Sequence, residues 1–177
     1  DLAEARFLLG KALLEDGNAT GAEIELRKAA DLQYPADQLV PVQARALLAL
    51  GQTKRVVDEL GKVQLTSSEG KADLNTTLGR AWLALGKMDA AQAAFNEALS
   101  AMPDYGPAVF GQARIKAASR DFAAATTLID SVLEKNPAFI DALQFKGDIL
   151  SVQGKMNESG DAYRKILQTK PDYLPAH

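Results

Sequence analysis

The sequence predicts an all-α solenoid, a right-handed superhelix of antiparallel helix pairs. Three observations carry this. Pro103, Pro137 and Pro171 recur every 34 residues, each closing a segment built like its neighbours. Turn residues keep the same step, from Gly17 to Gly51 and from Gly86 through Arg120 to Gly154; only the Gly51–Gly86 interval is one residue longer. In residues 72–105 Ala91, Phe95, Ala98 and Leu99 fall at helical spacing, i, i+4, i+7, i+8. A fixed period of this length means one supersecondary unit stacked on copies of itself, each covering its neighbour's apolar face.

The elements follow in order. Residues 3–36 place Leu9, Gly10 and Leu13 on a first helix, Gly17 at the turn, and Ala22, Leu26 and Ala29 on a second. Residues 37–71 depart furthest from the pattern, with Val56 and Val63 at small-residue positions and no closing proline. Residues 72–105 are the cleanest copy: Leu78, Gly79 and Trp82, the Gly86 turn, then Ala91, Phe95, Ala98 and Leu99. Residues 106–139 keep Ala113, Phe122, Ala125, Ile129 and Pro137, with Lys116 in place of an aromatic and Arg120 in place of the turn glycine. Residues 140–173 supply Gly147, Leu150, Gly154, Tyr163, Ile166 and Pro171.

The run "PDYLPAH" (171–177) copies "PDYGPAV" (103–109), so residues 174–177 read as the start of a sixth repeat. Residues 1–177 are thus expected to be a single array, a fragment of a longer protein. Thr20 with Glu23, and Thr66 with Glu69, read as capping boxes. Asp89 and Asp121 read as N-caps, and Pro107 and Pro175 as first-turn prolines.

The succession Leu78-Gly79, Trp82, Ala91, Phe95 and Pro103 resembles the tetratricopeptide repeat (TPR), with Asn75 where its first aromatic stands. A narrower resemblance covers residues 5–60, "ARFLLGKALLEDGNATGAEIELRKAADLQYPADQLVPVQARALLALGQTKRVVDEL". Its "GAEIELRKA" and spacer "YPADQLVP" resemble the TPR-repeat lipoproteins of bacterial PEP-CTERM/exosortase systems, the PrsT type. That resemblance implies a cell-envelope lipoprotein facing the periplasm, serving exopolysaccharide export or protein sorting. It implies membrane attachment only through a lipid anchor outside these residues; a cytoplasmic location stays open. Two other functions also stay open: a general bacterial TPR adaptor, and the binding module of an enzyme whose catalytic domain lies elsewhere.

Composition excludes several classes. Apolar residues make up 47% and charged residues 24%, as in a folded globular protein. The net charge of -3, with scattered basic residues, argues against nucleic acid as a partner. No apolar run reaches the roughly 18 to 20 residues of a membrane span. Without cysteine there is no disulfide, thiolate metal site or thiol chemistry. The one histidine, His177, is terminal, and no Ser/His/Asp set can be assembled. No phosphate-binding G-x4-G-K-[ST] loop occurs. Catalytic, cofactor-binding and metal residues are therefore expected to be none, and the chain is read as a non-catalytic protein-binding scaffold.

The candidate ligand groove rests on Lys11, Arg45, Arg80 and Arg114, which hold one position in four successive first helices; Asp148 ends the row. First helices are expected on the concave side, so these cations would form a track for an acidic peptide or anionic polysaccharide. The competing reading is a solvated row partnered by Glu4, Glu15 and Asp73. Phe7 and Phe110 lie one turn earlier, as groove aromatics or as packing. A co-chaperone carboxylate clamp is not expected, since Lys11 occupies the place of its asparagine. Tyr105, Phe139 and Tyr173 recur just past the prolines and read as packing at repeat junctions. The last helix pair is expected to expose apolar residues at the cut end, such as Ile166 and Leu167 or their neighbours, and to self-associate through them.

Overall fold

The computed structural model describes residues 1–171. Tyr173, Pro175, His177 and the start of the sixth repeat lie outside them. The described residues contain helices and no strand. In order these are α1 (Leu2–Glu15), α2 (Ala19–Asp31), α3 (Ala36–Ala49), α4 (Thr53–Arg55), which continues as a π-helical turn over Val56–Leu60, α5 (Ser68–Ala84), α6 (Met88–Ala101), α7 (Gly106–Ala118), α8 (Phe122–Lys135), α9 (Ile140–Val152) and α10 (Met156–Thr169). Each predicted repeat thus contains two helical segments. The chain divides into two compact units, Asp1–Ala108 and from Val109 onward, with the division falling inside α7.

The turn inside each pair is one motif repeated. Gly17 N–H donates to the Leu14 carbonyl and Asn18 N–H to that of Leu13, and the same two bonds recur at Gly51, Gly86, Arg120 and Gly154. They satisfy the last carbonyls of the first helix, and require a left-handed residue after it. The glycines there have φ of 71 to 82°, and Arg120 accepts the same conformation at 64°.

Small residues set how closely paired helices approach. A Cβ added to Gly79 would stand 2.5 Å from Phe95 Cε1, and one on Gly147 would stand 2.7 Å from Tyr163 Cζ. Ala91, Phe95 and Ala98 are fully buried, as the pattern requires. Phe7, early in α1, stacks on Tyr34 just past α2, with ring centroids 4.4 Å apart, which sets the pair antiparallel.

In the first unit one core joins Phe7, Leu26, Leu39 and Val42, and a second joins Leu47, Val56, Leu74 and Leu78. In the second unit Ile129, Val132 and Ile149 form the centre. Phe110 meets Phe139 and Phe145 edge-on at 5.4 and 5.6 Å beside that core, so it and Phe139 act in packing.

Three capping expectations need correction. Asn18, not Thr20, caps α2, accepting from Gly21 N–H at 2.9 Å. Ser67, not Thr66, caps α5, accepting from Gly70 N–H at 3.0 Å. Asp89 lies within the first turn of α6 and makes no cap bond. Asp121 caps α8 as expected, at 3.1 Å from Ala124 N.

The released Thr66 belongs to a different contact. Asp37, in the first turn of α3, accepts from Thr66 N–H at 2.6 Å, Ser67 N–H at 3.2 Å and the Thr66 hydroxyl. Pro41 has no N–H to offer the Asp37 carbonyl, and Gly70 fits closely against that oxygen; a Cβ there would stand 2.6 Å away.

At the last pair the two named residues need correction, although Val152 and Met156 of that pair are exposed. Ile166 is fully buried and Leu167 half-buried. The strongly exposed large apolar residues include Leu2, Leu8 and Leu9 on α1, and Val152 and Met156.

Candidate functional site

The first unit brings three of the four predicted cations together. α1, α3 and α5 carry Lys11, Arg45 and Arg80, and all three line one cavity of about 340 Å³ with Leu14, Glu15 and Leu48. A second cavity of about 590 Å³ adjoins it and shares Lys11 and Arg45, adding Phe7, Glu69 and Asp73. Arg114 lies exposed on α7 in the second unit. Asp148, which ends the row, accepts the Tyr163 hydroxyl at 2.6 Å. Burial first, and then that bond, push Tyr163 up to about 12.

Of the proposed neutralising partners, Asp73 faces Arg45 of the row. It stands 3.7 Å from Arg45, beyond hydrogen-bond reach. Arg45 Nε is buried and has no hydrogen-bond partner. Burial raises the Asp73 carboxyl above its ordinary 3.8, Arg45 opposes the shift, and Glu69 adds to it. Tyr105 lies within the same field: burial and then the Asp73 charge push its hydroxyl up to about 12. Glu4 pairs with the N-terminal amine at 3.6 Å, and Glu15 lines the first cavity without an ion pair. Lys11 is exposed and makes no ion pair or hydrogen bond among the described residues.

Phe7 is 7% exposed. It serves packing through Tyr34 while its edge reaches the second cavity.

One further cavity escaped the sequence reading. Where the second helix of repeat two ends at Leu60, a cleft of about 610 Å³ opens between Val57, Gly61, Asn75, Leu78, Trp82 and Glu97. Its signals were the missing proline near residue 71 and Asn75 in an aromatic's place. Among the described residues no group of three or more His, Cys, Asp or Glu side chains could hold a metal ion. No helix there is long and apolar enough to cross a membrane.

Residues 83–149 match the family model of the tetratricopeptide repeat. The fold is a TPR solenoid. No curated protein matches the chain. Among solved structures it is similar to TTC0263, a thermophilic TPR protein of Thermus thermophilus. The TM-score is 0.82 at 17% identity, covering 98% of this chain and 94% of that one. It is also similar to YrrB, a TPR protein with an unusual peptide-binding site, with TM-score 0.59, 17% identity, and 97% and 88% covered. A third is MamA from Desulfovibrio magneticus RS-1, with TM-score 0.60, 15% identity, and 98% and 97% covered. At these identities the likeness concerns the fold. TPR proteins bind other proteins or peptides.

Proposed function

We propose that the chain is a non-catalytic scaffold whose first unit captures an extended peptide segment of a partner protein. The observation that carries this is the convergence of Lys11, Arg45 and Arg80, from three successive repeats, on one cavity. Lys11 makes no ion pair among the described residues, and Arg45 stands 3.7 Å from Asp73. An exposed charge such as Lys11 contributes little to folding, and a carboxylate entering beside it and Arg45 would form charge-assisted hydrogen bonds. A peptide-binding site on the shared fold of YrrB is compatible with this reading.

The partner system we propose is the PEP-CTERM/exosortase or exopolysaccharide machinery of a bacterial envelope, with the protein held as a periplasm-facing lipoprotein. Support comes from the sequence of residues 5–60, with its "GAEIELRKA" and "YPADQLVP" segments. Immunogold labelling of the source cells, with pull-down from their envelope fraction, tests that part. A cytoplasmic label with unrelated partners would replace it by a general adaptor.

The groove is tested with Lys11→Glu/Arg80→Glu, which leaves Arg45 and Asp73 in place. The double variant should keep its helical circular dichroism and lose at least tenfold in affinity for an acidic peptide. Unchanged binding would remove the cations from the site.

A further inference from the structure

The two adjoining cavities differ in charge. The first is lined by Lys11, Arg45 and Arg80 against Glu15 alone. The second sets Asp37, Glu69 and Asp73 against Lys11 and Arg45. Asp37 is spent on Thr66 and Ser67, which leaves Glu69 and Asp73 facing the space. A uniform cationic track would thus end where the second cavity begins.

The boundary is an ion pair left incomplete. Arg45 and Asp73 face each other at 3.7 Å, Arg45 Nε is buried with no hydrogen-bond partner among the described residues, and the Asp73 side chain stays 22% exposed. Polar groups removed from water without hydrogen bonds are costly, and native proteins leave few of them. An anion alone would satisfy Arg45 and repel Asp73; a cation alone would do the reverse. A ligand bearing both charges satisfies both sides.

We infer that the ligand of the first unit is a mixed-charge peptide segment, with an acidic side chain seated among Lys11, Arg45 and Arg80 and a basic one against Asp73 and Glu69. The inference rests on the groove reading above and narrows it. Side chains two residues apart in an extended strand lie on one face, about 7 Å from each other. The cavities share Lys11 and Arg45, so a segment seated in one continues into the other. Charge complementarity of this kind gives specificity by penalising ligands of a single sign.

The test is fluorescence anisotropy on the full chain with four labelled nonapeptides of Gly, Ser and Ala. One carries Glu and, two residues later, Lys; one carries Glu only, one Lys only, and one neither. The mixed peptide should bind at least tenfold more tightly than either single-charge peptide. Asp73→Asn should abolish that preference, leaving the mixed peptide equal to the Glu-only one. Glu69→Gln, at an exposed position, should reduce the preference without disturbing the fold. Equal binding of mixed and Glu-only peptides by the parent chain overturns this inference and leaves the cationic groove standing. No binding by any peptide, or equal binding by Lys-only, overturns both. Dextran sulfate binding more tightly than every peptide and indifferent to Asp73→Asn would assign the groove to an anionic polysaccharide instead.

Discussion

Two aspartates show how position decides what a charge does. Asp37 lies below its ordinary 3.8, first through the Thr66 hydroxyl and then the Thr66 N–H. Its folded value is depressed, so its contribution is full above about pH 3.8 and fades as pH falls further. Asp73 is the opposite case, raised mainly by burial. Its ionisation works against the fold, and that penalty is relieved as pH falls through a value above 3.8. Urea unfolding should therefore show Asp37→Asn less stable than the parent at pH 7, with the gap closing below pH 3.8. Asp73→Asn should be neutral or stabilising at pH 7. A destabilised Asp73→Asn would mean that Arg45 outweighs the burial.

Backbone geometry gives two further residue-scale expectations. A methyl at Gly79 would meet the Phe95 ring at 2.5 to 2.8 Å. Gly79→Ala should therefore cost about 1–3 kcal/mol, read from the urea midpoint. Arg120 holds φ at 64°, where the other repeats place glycine. The left-handed penalty of roughly 1–2 kcal/mol exceeds glycine's entropic cost of about 0.5–1 kcal/mol. Arg120→Gly should raise stability by about 0.5–1 kcal/mol, and a loss would show that the arginine side chain supports the turn.

Among the elements, those with a strong period were legible and the irregular one was not. Gly79 with Phe95 and Gly147 with Tyr163 announce close helix pairs, because a small residue opposite a large one is a packing statement in itself. Capping boxes misled because a Ser/Thr-x-x-Glu string says nothing of rivals nearby. Asn18 and Ser67 stand one or two residues away with side chains equally able to accept. The Asp37 bonds to Thr66 and Ser67 bridge about thirty residues, and no local rule reaches that far. Repeat two showed its weakness through Val56 and Val63 without revealing the form it would take. Its second helix becomes a single α-turn and a π-turn ending at Gly61, where a Cβ would stand 2.4 Å from the Val57 carbonyl. Gly61→Ala should thus destabilise this element before any other, visible as lost hydrogen-exchange protection over Val56–Leu60 while α8 and α9 stay protected.

For the whole molecule, the period gave the all-α stacked architecture, while the site and the exposed end were only partly legible. The row position grouped Lys11, Arg45 and Arg80, which share one cavity, and Asp73 was named as a partner of that row, but charge spacing along one face gave no sign of Glu69, which enters with Asp73 from the first turns of α5. At the last pair Ile166 is covered, while Val152 and Met156 are exposed; α1 is exposed as well. Leu8 is 55% exposed, whereas its counterparts Val42 and Thr77 are 4% and 1% exposed, each covered by the preceding pair. Any self-association should therefore run through α1. Sedimentation velocity should show it suppressed in Leu8→Glu/Leu9→Glu and unaffected in Leu167→Glu; the reverse would return the interface to α10.

The most direct measurement of the central claim is an amide NMR titration of the full chain with the Glu/Lys nonapeptide. The account predicts saturable shifts centred on Lys11, Arg45, Glu69, Asp73 and Arg80. Shifts confined to Gly61, Ala93 and Glu97 around the other cleft, or none anywhere, would contradict it.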